Sequence, residues 1–273
     1  MKKLERISLA LLLLVLVIAP SMLSAQNLIV NSNATLNIDA TTTSYGQLRM
    51  LGTVSNSGTI TQSQFIKTAG YASISSPMIE DFTTTSGDNT KIFYYDGAAF
   101  QWRTSHQAGL GYYASTGTNG FLPTTGKFSV TGTPNTSMTY NLDYTANTSS
   151  GGAGSGWNLI GNPFTCNLDW NWGIFKHNIN DAYYIWDPVT ELYKYYSSGA
   201  VSGTLLSSSS TLSGIIPPMQ AFFVEVTSSW NLLSATMLSA GTTSSTIDYI
   251  SKTSSDNLIL GVVALNDSSV NDA

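Results

Sequence analysis

A pattern of aromatic strands is written twice into this chain, and it limits the fold more than any other feature. Tyr71-Ala-Ser-Ile-Ser-Ser-Pro77 leads to Ile92-Phe-Tyr-Tyr-Asp96, then Trp102, then Leu110-Gly-Tyr-Tyr-Ala114. Trp157-Asn-Leu-Ile-Gly-Asn-Pro163 leads in turn to Tyr183-Tyr-Ile-Trp-Asp187, then Tyr193 and Tyr195, then Gln220-Ala-Phe-Phe-Val224. Successive pieces are offset by 86, 91 and 110 residues, the excess falling in the Ser-rich stretch Ser197 to Ser213. This reads as an internal duplication with a loop insertion. Convergence is the alternative, because aromatic strands that end in Asp-Gly or Asp-Pro turns are common.

Composition agrees with strands. Only 10% of the 273 residues are charged, while Ser and Thr make up roughly a quarter. The helix formers Ala, Glu, Lys and Arg are too scarce for a bundle. With 14 Tyr, 10 Phe and 6 Trp the chain is not a disordered tail either. A net charge of −5 argues against nucleic acid as a partner.

The N-terminus has its own logic. Lys2, Lys3 and Arg6 precede the apolar run Leu9 to Ala19, which Pro20 and the small-polar stretch Ser21 to Ala25 close. Charge, apolar core and small residue in that order read as a secretory signal peptide over 1–25, cut near Ala25. The run is too short for a spanning helix, and no later stretch is long enough. The expected location is therefore secreted or cell-surface. Residues 26–66 alternate short apolar segments with Gly, Asn and Ser. They read as rungs of a stacked β structure, or as a plain hairpin meander. Module one is expected over 67–148 and its duplicate over 149–240, with a flexible boundary at Thr145 to Gly156. Residues 241–273 begin a further β segment around Leu258 to Leu265, and the chain then stops as if cut inside a domain. Trp170 to Asn178 is the one stretch that suggests a helical turn, with Asp169 as its cap. The fold class expected is all-β: a β-repeat or solenoid-like segment followed by two related β-sandwich-like modules.

Catalytic constellations are missing. His106 and His177 belong to no metal-ligand pair, so a zinc site lacks its parts. Cys166 has no basic neighbour in sequence to activate it and reads as a small residue filling a turn. Carboxylate pairs for glycoside hydrolysis come from distant positions, so part of a secreted hydrolase stays as one alternative. Asp169, Asp181 and Asp187 are weak calcium candidates, since no calcium-loop spacing joins them. No catalytic or cofactor-binding residue is nominated, and the chain is read as a non-enzyme. The aromatics carry the stronger signal. Trp170, Trp172, Tyr184 and Trp186 are the candidate ligand contacts, because exposed Trp and Tyr faces stack on sugar rings. Core is the favoured reading of the same residues, since aromatics dominate β cores. Alternation places Tyr183, Ile185 and Asp187 on one face and Tyr184 and Trp186 on the other.

The string Gly156-Trp157-Asn-Leu-Ile-Gly-Asn-Pro163 adds a resemblance. With Asn167-Leu-Asp-Trp170, Tyr184-Ile-Trp-Asp187 and Ile216-Pro-Pro-Met-Gln-Ala-Phe-Phe-Val224, it resembles large exported bacterial proteins of the type IX secretion cargo type. Ser75-Ser-Pro77 and Gly109-Leu-Gly-Tyr112 extend the resemblance back to about Gly70. It implies a β-rich, adhesin-like surface protein that meets the export machinery and carries no assigned catalytic residue. The C-terminal sorting domain of such proteins is not in this sequence. The functional expectation is a structural or adhesin-like role by non-covalent contact with surface glycans or other surface proteins. A dedicated glycan-binding module is the alternative.

Overall fold

The computed structural model describes residues 24–25, 28–30, 35–38, 48–50, 54–56, 59–66, 70–79, 92–96, 101–103, 110–116, 122, 126–144, 156–187, 192–199 and 212–236. Most of residues 1–25, expected as a signal peptide, most of the boundary at 145–156, most of the Ser-rich stretch 197–213, and the 241–273 segment lie outside the described residues. Among the described residues every regular element is a strand, and no helix is long and apolar enough to cross a membrane.

The N-terminal segment pairs in parallel. Ser24–Ala25 lies along Arg49–Met50, Leu28–Val30 along Val54–Asn56, and Thr35–Ile38 along the start of Thr59–Ile66. The partners stand 24 to 26 residues apart, so the chain advances one turn of a stack and returns to the same place. A hairpin meander would pair antiparallel. The rungs are therefore solenoid-like. Gly126–Thr131 closes the other edge antiparallel, with the hydroxyl pairs Thr61–Thr131 at 2.9 Å and Ser63–Ser129 at 3.1 Å. Ile38, Ile60 and Val130 turn into the core. Leu48 ties the rungs to the second half, its N–H donating to the Thr165 carbonyl at 2.8 Å.

The two aromatic halves build two four-stranded sheets. In the first, a leading strand Gly70–Ser75 pairs with a return strand Gly111–Thr116. The return strand pairs in turn with the aromatic strand Ile92–Asp96, which pairs with Gln101–Arg103. The second sheet has the same order: leading strand Trp157–Gly161, return strand Ala221–Glu225, aromatic strand Ala182–Asp187 and its partner Leu192–Ser197. Register agrees as well. The sequence offsets of 86, 91 and 110 carry Ser75↔Gly111 onto Gly161↔Ala221 and Phe93↔Tyr113 onto Tyr184↔Phe223. They likewise carry Tyr95↔Trp102 onto Trp186↔Tyr193.

The sheets join through two bridges, Ile74↔Gln220 and Leu110↔Ile160. The same offsets turn each bridge into the other, so the halves meet about a local pseudo-twofold axis. Backbones approach closely there. A Cβ on Gly161 would stand 2.0 Å from the Ser75 Cβ, and one on Gly111 would stand 2.7 Å from the Ala221 Cβ. Gly161 and Ser75 are counterparts, as are Gly111 and Ala221. Each position therefore touches its own copy across the axis, and only one of the two can carry a side chain.

Asn162 explains the Gly-Asn-Pro string beside the axis. Its buried amide donates to the carbonyls of Cys166, Ile216 and Pro217 at 2.9 to 3.0 Å, and its Oδ1 accepts from the Phe164 N–H at 2.9 Å. One side chain thus pins the turn after the leading strand to the segment before the return strand.

A third sheet sets Leu232–Thr236 between Ser137–Tyr140 and Ile174–His177. The last of these strands replaces the helical turn expected over Trp170 to Asn178. Asp169 does cap, but it caps a turn: its Oδ1 accepts from the Asn171 N–H at 2.9 Å. Pairing with a strand some sixty residues downstream then extends the backbone, a non-local effect that local periodicity does not contain.

Candidate binding site

Side chains alternate along the strands of both sheets, so each sheet presents two faces. Ile74, Ile92 and Tyr112 of the first, with Ile160, Tyr183, Ile185 and Phe222 of the second, enter the large core. The opposite faces meet each other with aromatic rings. Phe223 is at the centre, in edge-on contact with Tyr95 at 5.7 Å, Tyr193 at 5.8 Å, Tyr113 at 6.2 Å and Trp157 at 6.3 Å. Such T-shaped pairs set the positive edge of one ring on the negative face of the next.

Beside that cluster the sheets leave an open cleft of about 470 Å³. Among the described residues it is lined by Tyr71, Phe93, Tyr113, Trp186 and Tyr193. Its volume falls within the range of small-ligand sites. Tyr71 is 49% exposed at the mouth and tilts toward Phe93 at 6.3 Å, while Trp186 stands edge-on to Tyr193 at 5.1 Å. The described lining residues offer polar side-chain atoms only as phenols and the Trp186 ring N–H. The Tyr113 hydroxyl donates to the Tyr193 hydroxyl at 3.4 Å, which is long for an O–H···O bond. Burial raises the pKa of Tyr113, and proximity to Tyr193 raises it further. Burial also raises that of Tyr193, against the bond it accepts. Both shifts favour the protonated phenols, which act as hydrogen-bonding groups at neutral pH.

The four residues proposed from sequence separate. Trp186 lines the cleft. Tyr184 shares its face but is 1% exposed, packed 5.1 Å from Trp157 and 6.0 Å from Tyr195. Trp170 is fully buried: its indole N–H donates to Asp181 at 3.0 Å, the Lys176 ammonium lies 4.5 Å from its ring centre, and Tyr183 and Phe222 pack on it. Trp172 is 74% exposed and does not line the cleft. Core is thus the outcome for Trp170 and Tyr184, and the ring-lined surface for Trp186. Tyr71, Phe93, Tyr113 and Tyr193 were not singled out as a site, although the repeat already placed them on corresponding strands.

The calcium candidates are engaged elsewhere. Asp181 accepts from Lys176, Ser198 and Trp170, and Asp187 pairs with Lys194 at 2.8 Å. No group of three His, Cys, Asp or Glu side chains gathers among the described residues. Cys166 is buried, and His177 packs against Trp230 at 4.3 Å.

No protein family, no curated protein and no solved structure matches this chain. The likeness to type IX secretion cargo therefore rests on the quoted strings.

Proposed function

We propose that this is an exported, adhesin-like protein that acts by non-covalent contact, and that the aromatic cleft between its sheets is where it takes hold of carbohydrate. The cleft itself carries the reading: five aromatic side chains converge there on about 470 Å³ of open space. A sugar ring presents axial C–H groups on one face and hydroxyls at its edge. The first suit the negative faces of Tyr, Phe and Trp. The second suit a site that has a few placed polar atoms and is otherwise apolar. The charged, apolar, small order of residues 1–25 supports export, and the quoted strings support a type IX route to the surface.

A glycan array probed with the full chain and with Trp186→Ala tests the proposal. Binding that the substitution abolishes, while the variant keeps the parent's unfolding midpoint to within a few degrees, is the expected result. An empty array, or binding that survives Trp186→Ala, would overturn it.

A further inference from the structure

Among the described residues the cleft lies in one copy of an arrangement that the chain builds twice, so its differences from the other copy are informative. The offsets pair Tyr71 with Trp157, Phe93 with Tyr184, Tyr113 with Phe223, Trp186 with Tyr95, and Tyr193 with Trp102. In the second cluster Trp157, Tyr184, Tyr95 and Phe223 fill the space with one another. The two phenols that face each other across the cleft, Tyr113 and Tyr193, have counterparts without a hydroxyl: Phe223 and Trp102. The open copy has thus kept or gained a hydroxyl pair that the packed copy lacks.

No charged side chain is among the described residues that line the cleft. On the hairpin that supplies Trp186 and Tyr193, the ion pair of Asp187 and Lys194 belongs to the other face, with Ile185. Alternation enforces that separation. Lys194 is committed to Asp187 at 2.8 Å, and no cationic side chain is among the lining residues described. A carboxylate or sulfate entering the cleft would lose its water and find hydrogen-bond donors but no cation among the described lining residues, and the chain's charge of −5 would repel it on approach.

We infer that the cleft selects uncharged sugar rings over acidic ones, and that the Tyr193 hydroxyl is the polar contact that reads a ring hydroxyl. This inference deepens the carbohydrate reading above and rests on it. Tyr193 accepts from Tyr113, which leaves its own hydrogen to donate toward the ligand. The 3.4 Å spacing of the two phenols is loose enough that a ligand hydroxyl can engage Tyr193 without breaking a strong bond.

The test sets neutral oligosaccharides against their sialylated and sulfated counterparts on one array, with full chain, Tyr193→Phe, Tyr113→Phe and Trp186→Ala. Neutral ligands are expected to bind at least tenfold more tightly than acidic ones. Tyr193→Phe keeps the ring and the fold, and is expected to weaken neutral binding about fivefold, the scale of one hydrogen bond. Tyr113→Phe should weaken it less. Equal binding of acidic and neutral forms, or a Tyr193→Phe variant that binds like the parent, would overturn the inference while Trp186→Ala still upholds the carbohydrate reading. An array on which nothing binds, or a cleft that takes a proline-rich peptide instead, overturns both.

Discussion

The two halves of this protein solve one packing problem under two different constraints. At the axis, counterparts touch each other, so a side chain on both is sterically forbidden. Ser75 requires Gly161, and Ala221 together with the Ile160 carbonyl requires Gly111. Away from the axis nothing forces a difference, yet one differs sharply. Trp157, Tyr184, Tyr95 and Phe223 interlock, and Tyr184 and Phe223 are only 1% and 6% exposed. Their counterparts leave a cleft with Tyr71 half exposed. A repeated sheet can thus differ by steric necessity where its copies meet, and by packing where they do not.

The second half also carries an anchor built around Trp170, and removing it should have the largest effect. Trp170→Ala empties a fully buried ring site and leaves Asp181 short of one donor, so a loss of about 3–5 kcal/mol is expected in denaturant unfolding. Trp172→Ala, two residues away and exposed, should change stability by about 0.5 kcal/mol or less. Similar losses from both would mean that Trp170 is not the anchor.

Next in size is the axis. Gly161→Ala drives a methyl into the Ser75 Cβ and should cost about 3 kcal/mol, the upper range of overpacking. Ser75→Gly added to it removes the clash, at the loss of the hydroxyl bonds to the Asn162 and Gln220 carbonyls. The double variant should therefore be more stable than Gly161→Ala alone. A double variant that is less stable would break the counterpart relation.

Smaller effects follow from titration. Burial raises the phenol pKa of Tyr113, Tyr140 and Tyr193, and that of Tyr184 to about 12. Folded values above the unfolded value of about 10 mean that this stability is complete below that pH and is lost above it. Phenolate absorbance of these tyrosines should therefore rise together with unfolding as the pH climbs past 10. A rise that precedes unfolding would contradict their burial. Asp181 is smaller still and opposite in sign. Burial tends to raise its pKa, but the bonds from Lys176, Ser198 and Trp170 outweigh that and hold it below the usual range. Its contribution is present above about pH 4 and fades as the pH falls through the lowered folded value. Asp181→Asn should flatten that acid limb.

Much of the fold was legible in the residues. Gly, Pro and Asp punctuation marked each aromatic strand, and the offsets read from those marks are the ones that superimpose the two registers. Alternation correctly divided Tyr183 to Asp187 into two faces, but it cannot say what stands opposite a face. That is why the sequence groups Trp186 with Tyr184, whose site is filled by Trp157, and why it places Tyr71 and Tyr193 on strands of the repeat without naming them as ligand contacts. Trp170 was grouped with Trp172 by proximity in sequence. Burial separates them through Lys176 and Asp181, contacts that only the folded chain assembles. Parallel pairing of the rungs was likewise open in sequence, because a period of two is common to both pairings.

The counterpart positions Tyr71 and Trp157 offer the most direct test of a packed copy and an open copy. Tyr71→Ala and Trp157→Ala would be compared in the full chain by denaturant unfolding and by affinity for a neutral glycan identified on the array. Tyr71→Ala is expected to weaken binding severalfold while costing under about 1 kcal/mol of stability, and Trp157→Ala to cost about 2 kcal/mol while the remaining folded fraction binds as the parent does. Two variants that lose stability and binding in the same proportion would contradict the account.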